Sequence, residues 1–179
     1  YSNPNLTHVT ITNNTAEYYG GAMWLDYSNP ILTHVTISNN MAEYAGGGMR
    51  LSNSNPILTN VTIANNTAGI YGGGGMYLNS SNPSLTNSIM WGNSPESIYI
   101  DSGIPLITYS DIEGGWEGGY CIGNHQDCND ANEESCLIMI VWGLCDEWES
   151  DVNINSDPLF TDPENGDYTL QENSPCIDT

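Results

Sequence analysis

Ser2-Asn3-Pro4-Asn5-Leu6-Thr7-His8-Val9-Thr10-Ile11-Thr12-Asn13-Asn14 is answered later in the chain by Ser28-Asn29-Pro30-Ile31-Leu32-Thr33-His34-Val35-Thr36-Ile37-Ser38-Asn39-Asn40. The phrase returns from Ser54 to Asn66 and, more loosely, from Ser81 to Asn93. Its prolines, Pro4, Pro30, Pro56 and Pro83, are separated by steps of 26, 26 and 27 residues. A fixed period of this length describes one structural unit stacked on copies of itself.

The unit can be read from what varies within it. Val9 and Ile11 alternate with Thr10 and Thr12, as Val35/Ile37 and Val61/Ile63 do with their own neighbours, the period-2 pattern of strands with one buried face. A second alternation follows in Met23-Trp24-Leu25, Met49-Arg50-Leu51 and Met76-Tyr77-Leu78. Its middle position accepts Trp, Arg or Tyr, as a solvent-facing site does, while Met and Leu recur as a buried pair. Between them lie Asn-Asn and then Gly-Gly or longer, residues suited to corners. Leu6, Leu32, Leu58 and Leu85, just after each proline, form a third short strand. Three strands and three corners per repeat make one coil of a right-handed parallel β-helix, and the chain reads as an all-β solenoid of about five such coils. A helical repeat is excluded by the dominance of Thr, Ile, Val, Asn and Gly, all poor helix formers.

In a solenoid each strand pairs with its equivalent one coil away, ~4.8 Å along the axis, so like stacks on like. The expected interior columns are Leu6/Leu32/Leu58/Leu85, Val9/Val35/Val61, Ile11/Ile37/Ile63/Met90, Met23/Met49/Met76 and Leu25/Leu51/Leu78. The Asn pairs form an asparagine ladder through either Asn13/Asn39/Asn65 or Asn14/Asn40/Asn66, satisfying corner backbone groups that would otherwise be buried unpaired. A fifth coil begins at Ile104 to Glu113, with Leu106, Tyr109 or Ser110, and Ile112 expected to continue the inner columns.

These phrases resemble the β-helix repeats of large secreted bacterial proteins, a group that includes polymorphic outer-membrane-type surface proteins and the pectate-lyase-like superfamily. Asp157-Pro158-Leu159-Phe160-Thr161-Asp162-Pro163-Glu164-Asn165-Gly166-Asp167-Tyr168-Thr169-Leu170, followed by Ser174-Pro175-Cys176-Ile177-Asp178, is similar to the segment that closes such helices in surface proteins carrying a choice-of-anchor domain. The resemblance implies secretion and a cell-surface location, and no particular activity. Three regions follow: repeats over 1–113, an acidic Cys-rich insertion over 114–152, and a helix-closing segment over 153–179. Tyr1 already stands in the phase of Tyr27, so a further coil or subunit is expected to cover the first coil.

Charge bounds the partners. Arg50 is the only Lys or Arg against 22 acids, for a formal charge of −21. Nucleic acid and anionic membrane are excluded, because both need clustered cations. Only Glu17, Asp26 and Glu43 precede residue 96, so the repeats are nearly neutral and the second half carries the charge. No signal peptide or transmembrane run is present. Sequons at Asn5, Asn13, Asn60, Asn65 and Asn79 are glycosylation candidates in a secreted chain, although Asn and Thr are abundant here for ladder reasons.

The insertion holds Cys121, Cys128, Cys136 and Cys145. In an oxidising compartment four cysteines form two disulfides that staple a loop too small for its own core. Three connectivities are open, with Cys121–Cys128 and Cys136–Cys145 preferred on proximity. Zinc is the competing reading, but no Cys-x-x-Cys knuckle occurs. Cys176 is the odd cysteine, free or joined to the insertion or to another chain. The run Leu137-Ile138-Met139-Ile140-Val141-Trp142 must be covered, by the side of the helix or, as an assembly surface, by a neighbouring molecule.

Catalysis is not expected. Lyases of this fold abstract a proton with Arg or Lys beside calcium-binding acids, and here Lys is absent while Arg50 occupies an outward strand position. The phrases that mark polygalacturonase-like hydrolases are missing too. His8 and His34 stack with Asn60 and Asn87 as repeat positions. No cofactor is called for. Calcium has weak candidates in Asp162, Glu164 and Asp167 around a tight turn, which is equally an Asx-stabilised turn. The expected function is therefore a non-catalytic extracellular structural β-helix that self-associates head-to-tail into a fibre. The alternative is a carbohydrate-binding or polysaccharide-processing domain with an aromatic track of Trp24, Tyr77 and Tyr99, flanked by Tyr18, Tyr19 and Tyr44.

Overall fold

The computed structural model describes residues 2–114, the strand Tyr120–Cys121 and residues 154–177. The repeat folds as a parallel β-solenoid of about four turns, not the five expected, and strands of an incomplete fifth coil pair with the last of them. The first coil carries strands Asn5–Thr7, Thr10–Thr12, Thr15–Ala16 and Met23–Asp26, and the next two coils repeat all four. These three coils thus have four strands each rather than the three expected, because the corner after Asn-Asn runs straight for two residues and pairs with its equivalents in a three-stranded sheet. The other three sheets have five strands each, all parallel and without crossover between columns. The fifth coil contributes Leu106–Thr108, Asp111–Ile112 and Tyr120–Cys121. Among the described residues there is no α-helix, only one short 3-10 turn at Pro163–Asn165.

Register follows the sequence phase. Leu6 pairs with Leu32, Leu32 with Leu58 and Leu58 with Leu85. Ile11, Ile37, Ile63, Met90 and Ile112 form the next column, and Met23, Met49, Met76 and Ile98 another. Together with Val35, Val61, Leu51, Leu78 and Ile100 these make one continuous core. Each fully buried aliphatic side chain contributes about 1.5–3 kcal/mol, so the core is a sum of small equal steps along the axis. In the fifth coil the expectation for Leu106 fails. It is Ile107 that pairs with Leu85 and turns inward, while Leu106 faces solvent opposite Ser84. Pro105 answers Pro83, and the inward residue stands two places after each proline, so Ile107 takes the place of Leu85 and Leu106 the outward place of Ser84. Of the pair Tyr109/Ser110, Ser110 is buried and Tyr109 exposed.

The asparagine ladder is Asn14/Asn40/Asn66/Asn93. Asn66 Oδ1 accepts from the backbone N–H and the Nδ2 of Asn40 at 2.9 and 3.0 Å, while Asn66 Nδ2 donates to Ile37 O and Asn93 Oδ1 at 2.9 and 3.0 Å. Every donor and acceptor of this buried amide is used. The preceding asparagines, Asn13, Asn39 and Asn65, instead supply positive φ of 58°, 54° and 54° at the corner, a conformation that Asn tolerates better than most residues.

Two further ladders went unread in the sequence. Ser28 N–H donates to Ser54 Oγ and Ser54 N–H to Ser81 Oγ, each at 3.0 Å. One residue on, Asn29 N–H donates back to Asn3 Oδ1 and Asn55 N–H to Asn29 Oδ1, each at 2.6 Å. The two ladders run in opposite directions along the axis and clamp each corner to both neighbours. Their signal was present, since Ser-Asn precedes every repeat proline.

Glycine at the last corner answers to crowding as well as to φ. A Cβ on Gly47 would lie 2.3 Å from Thr67 O and 2.6 Å from Gly74 O, both backbone atoms of the next coil.

Phe160–Asp162 and Asp167–Leu170 form an antiparallel hairpin laid along the side, where the Tyr168 hydroxyl receives Nδ2 of both Asn39 and Asn65 at 3.1 Å. This hairpin covers the second sheet, whose Ser38 and Ala64 are buried. Ile154 bridges Asp111 at the fifth coil.

Most of the proposed insertion, including the side chains of Cys121, Cys128, Cys136 and Cys145 and the run Leu137 to Trp142, lies outside the described residues. The disulfide staple thus gains no support, and among the described residues Cys176 carries a free thiol.

Asn66→Ala is expected to cost about 3 kcal/mol or more, because it strands several buried polar groups at once, whereas Asn14→Ala, at the solvent-exposed first coil, is expected to cost about 1 kcal/mol. Gly47→Ala is expected to destabilise by roughly 3 kcal/mol, since backbone cannot move aside as a side chain can. Urea unfolding of the three variants measures all of these, and equal costs for Asn66→Ala and Asn14→Ala would contradict the ladder.

Candidate functional site

The outward residues of the fourth sheet stack as Trp24, Arg50, Tyr77 and Tyr99 in strict register. Their placement follows from the Met-x-Leu phrase, whose flanking residues point inward and turn the middle one out. Arg50 is held among rings, its guanidinium carbon 4.3 Å from the Tyr19 centroid, 5.4 Å from Tyr77 and 5.9 Å from Trp24. Nη1 donates to Ser52 Oγ at 3.2 Å, and Nε is buried without a hydrogen-bond partner. A planar, weakly hydrated cation over aromatic faces is a stabilising arrangement that Lys would not reproduce.

The rest of the aromatic track is likewise engaged with itself. Tyr77 and Tyr99 stack at 5.0 Å with planes 13° apart, and Tyr18 stacks on Tyr44 at 5.5 Å. Burial, and then the nearby Asp101 carboxylate, push the Tyr77 hydroxyl up to about 12. Rings stacked along the axis spend their faces on one another and show their edges to solvent. Trp24 has the most exposed ring of the column, at 58 %.

His8 and His34 stack at 4.9 Å with planes 2° apart, and His34 Nε2 lies 3.2 Å from Asn60 Nδ2. Both histidines hold positive φ, 54° and 53°, in the corner column continued by Asn60, Asn87 and Tyr109. They are corner residues, engaged with each other and with Asn60.

The calcium candidates are not brought to one point. Asp162 Oδ2 accepts from Asn165 Nδ2 at 2.8 Å, Asp167 Oδ1 accepts from Thr169 N–H at 3.0 Å and from its hydroxyl, and Glu164 sits in the first turn of the 3-10 helix. The Thr169 bonds hold the Asp167 carboxyl below its ordinary value. Among the described residues no group of three His, Cys, Asp or Glu could hold a metal ion. Of the sequons, Asn5, Asn13 and Asn60 are exposed, Asn65 donates to Tyr168, and Asn79 donates to the Asp101 carboxylate.

The sequence offers Asp111 and Glu113 as a pair of carboxylates in an ordinary β-helix phrase, and it does not announce that Asp111 meets Cys176 beside a cleft. Asp111, 2 % exposed, closes the second sheet at the fifth coil. Its Oδ1 accepts from Ser156 N–H at 3.2 Å and its Oδ2 from the Cys176 thiol at 3.1 Å, tying two points of the C-terminal segment to the solenoid. Burial pushes the Asp111 carboxyl above its ordinary value despite these bonds, and nearby Asp157 and Glu113 act in the same direction. Burial first, and then Asp111 itself, push the Cys176 thiol up to about 12, so it stays protonated at neutral pH. Beside the pair opens a cleft of about 440 Å³ lined by Asn60, Asn87, Ser88 and Tyr109. Among the described residues Glu96 is the other carboxylate raised by burial, with its side chain accepting from Gly73 N–H.

A carboxyl raised on folding stabilises fully below its unfolded value, 3.8 for Asp111 and 4.5 for Glu96, and loses that contribution as pH rises through the folded value. Asp111→Asn and Glu96→Gln are therefore expected to lessen the fall in stability between about pH 4 and pH 8. Thermal melts across that window measure the slope, and a slope equal to that of the unsubstituted chain would contradict the assignment.

A family model described as a right handed beta helix region matches residues 2–139. No curated protein and no solved structure gives a significant match. With its four-turn parallel solenoid and a family match over most of its length, the chain belongs to the right-handed β-helix family.

Proposed function

We propose that this chain is a non-catalytic extracellular structural β-helix, a rigid axial element of a cell surface that self-associates through its strand edges. The observation that carries the reading is the axial engagement of its side chains. Asn40 and Asn66 bond to the coils above and below, Tyr77 stacks on Tyr99, and Arg50 is clasped by Tyr19 and Tyr77. These residue types serve chemistry elsewhere, and here they serve cohesion along one axis. The similarity of the repeat phrases and of the 157–178 segment to secreted, surface-anchored proteins of the pectate-lyase-like superfamily supports the location.

Self-association follows from the same register. A parallel stack in which each coil pairs with a near copy of itself offers, at any open edge, the template for one more coil. The strand edge of Asn5–Thr7, Thr10–Thr12 and Met23–Asp26 is such a template, and beneath it Leu6, Val9, Ile11 and Met23 are only partly buried. A glycan-binding reading draws on one observation, the exposed Trp24 ring; glycan-array binding lost on Trp24→Ala is what it requires.

Electron microscopy and sedimentation of the native chain are expected to show concentration-dependent axial assemblies, reduced by Leu6→Lys, which places a charge in the open cross-section. Dispersed monomers at every concentration would overturn the assembly reading.

A further inference from the structure

We infer that the cleft beside Asp111 is a binding site for a small hydroxylated primary amine, of the amino-sugar class with its amino group free. The argument begins with charge. Asp111 is 2 % exposed, and its partners are one amide N–H and one thiol, both neutral donors. A buried carboxylate of this kind is costly until a cation pairs with it. The chain cannot supply that cation from Lys or Arg, because Arg50 is the only one and is clasped by Tyr19 on the fourth sheet. Glu113 and Asp157 deepen the negative potential. Burial raises this carboxyl, so its charge is neutralised either by a proton or by a cation from outside, and an ammonium that reaches the cleft supplies the second.

The lining selects an ammonium group over a metal ion. A divalent metal wants several carboxylates or carbonyl oxygens converging on one point, and among the described residues no group of three metal-ligating side chains exists. The cleft instead sets one carboxylate among the amides of Asn60 and Asn87 and the ring of Tyr109, which is 63 % exposed. A carboxylate for an ammonium, amides for hydroxyls and an aromatic wall for an apolar or cationic face make the donor set of an aminated sugar ring. A volume of about 440 Å³ admits one such ring. The site is built by the fold, since Asn60, Asn87 and Tyr109 occupy the same corner of successive coils at φ of 54°, 50° and 51°, and the C-terminal segment supplies the opposite wall through Cys176.

Calorimetric titration with glucosamine and with N-acetylglucosamine tests the inference, because acetylation keeps the ring and removes the charge. Glucosamine is expected to bind at least about tenfold more tightly, the difference a single charge pair of about 1.4 kcal/mol supplies. Asp111→Asn is expected to abolish that preference. Tyr109→Gly, which keeps the left-handed backbone without strain, is expected to weaken glucosamine roughly two- to fivefold with the solenoid intact. Equal affinity for the two sugars, no saturable binding of glucosamine, or a preference untouched by Tyr109→Gly and by a folded Asp111→Asn variant would each overturn it.

Discussion

Everything in this molecule depends on each coil lying in register on the next. The strands are only two to four residues long, too short to hold a register by backbone pairing alone, and a slip of one residue would turn each core column to solvent. What fixes the register is the amide column Asn14/Asn40/Asn66/Asn93, in which the buried side chains of Asn40 and Asn66 bond to the coils on both sides. The Ser28/Ser54/Ser81 and Asn3/Asn29/Asn55 ladders fix the opposite corner with bonds of reversed direction. Buried polar groups of this kind are destabilising when half satisfied and specifying when fully satisfied. The repeat keeps Asn and Ser at these positions because no apolar residue can carry both the bonds and the register.

Function follows from the same constraint. Residues that face outward find a like residue at about the coil spacing, ~4.8 Å, and rings at that distance stack. The histidine pair, the tyrosine stacks and the clasped arginine are products of this geometry. Where the repeat ends, the rule lapses. At the fifth coil Asp111 replaces the Thr of Thr10, Thr36 and Thr62, and the C-terminal segment packs across it. A cleft with buried titratable groups lies at that break in periodicity.

The core was legible because burial imposes a period that repetition makes visible. Leu32, Ile37, Met49 and Leu51 stand where the phase puts them, and the ladder resolves to the second asparagine of each pair because the first is spent on positive φ. The two-residue strands Thr15–Ala16, Met41–Ala42 and Thr67–Ala68 were illegible, being too short to show alternation. Leu106 is misleading because it directly follows its proline, whereas the inward residue of the phrase stands two places after it, which here is Ile107. The side-on hairpin joins Tyr168 to Asn39 and Asn65 across 129 and 103 positions, and the Asp111–Cys176 contact spans 65, with no repeat to align them, so no local pattern could announce them.

The central claim is that the buried amide column holds the stack in register, and side-chain hydrogen exchange tests it most directly. The Nδ2 protons of Asn40 and Asn66 are expected to exchange as slowly as the backbone amides of the core strands, opening only when the solenoid itself opens. Exchange of these protons as fast as those of the exposed Asn3 and Asn55 side chains would contradict it.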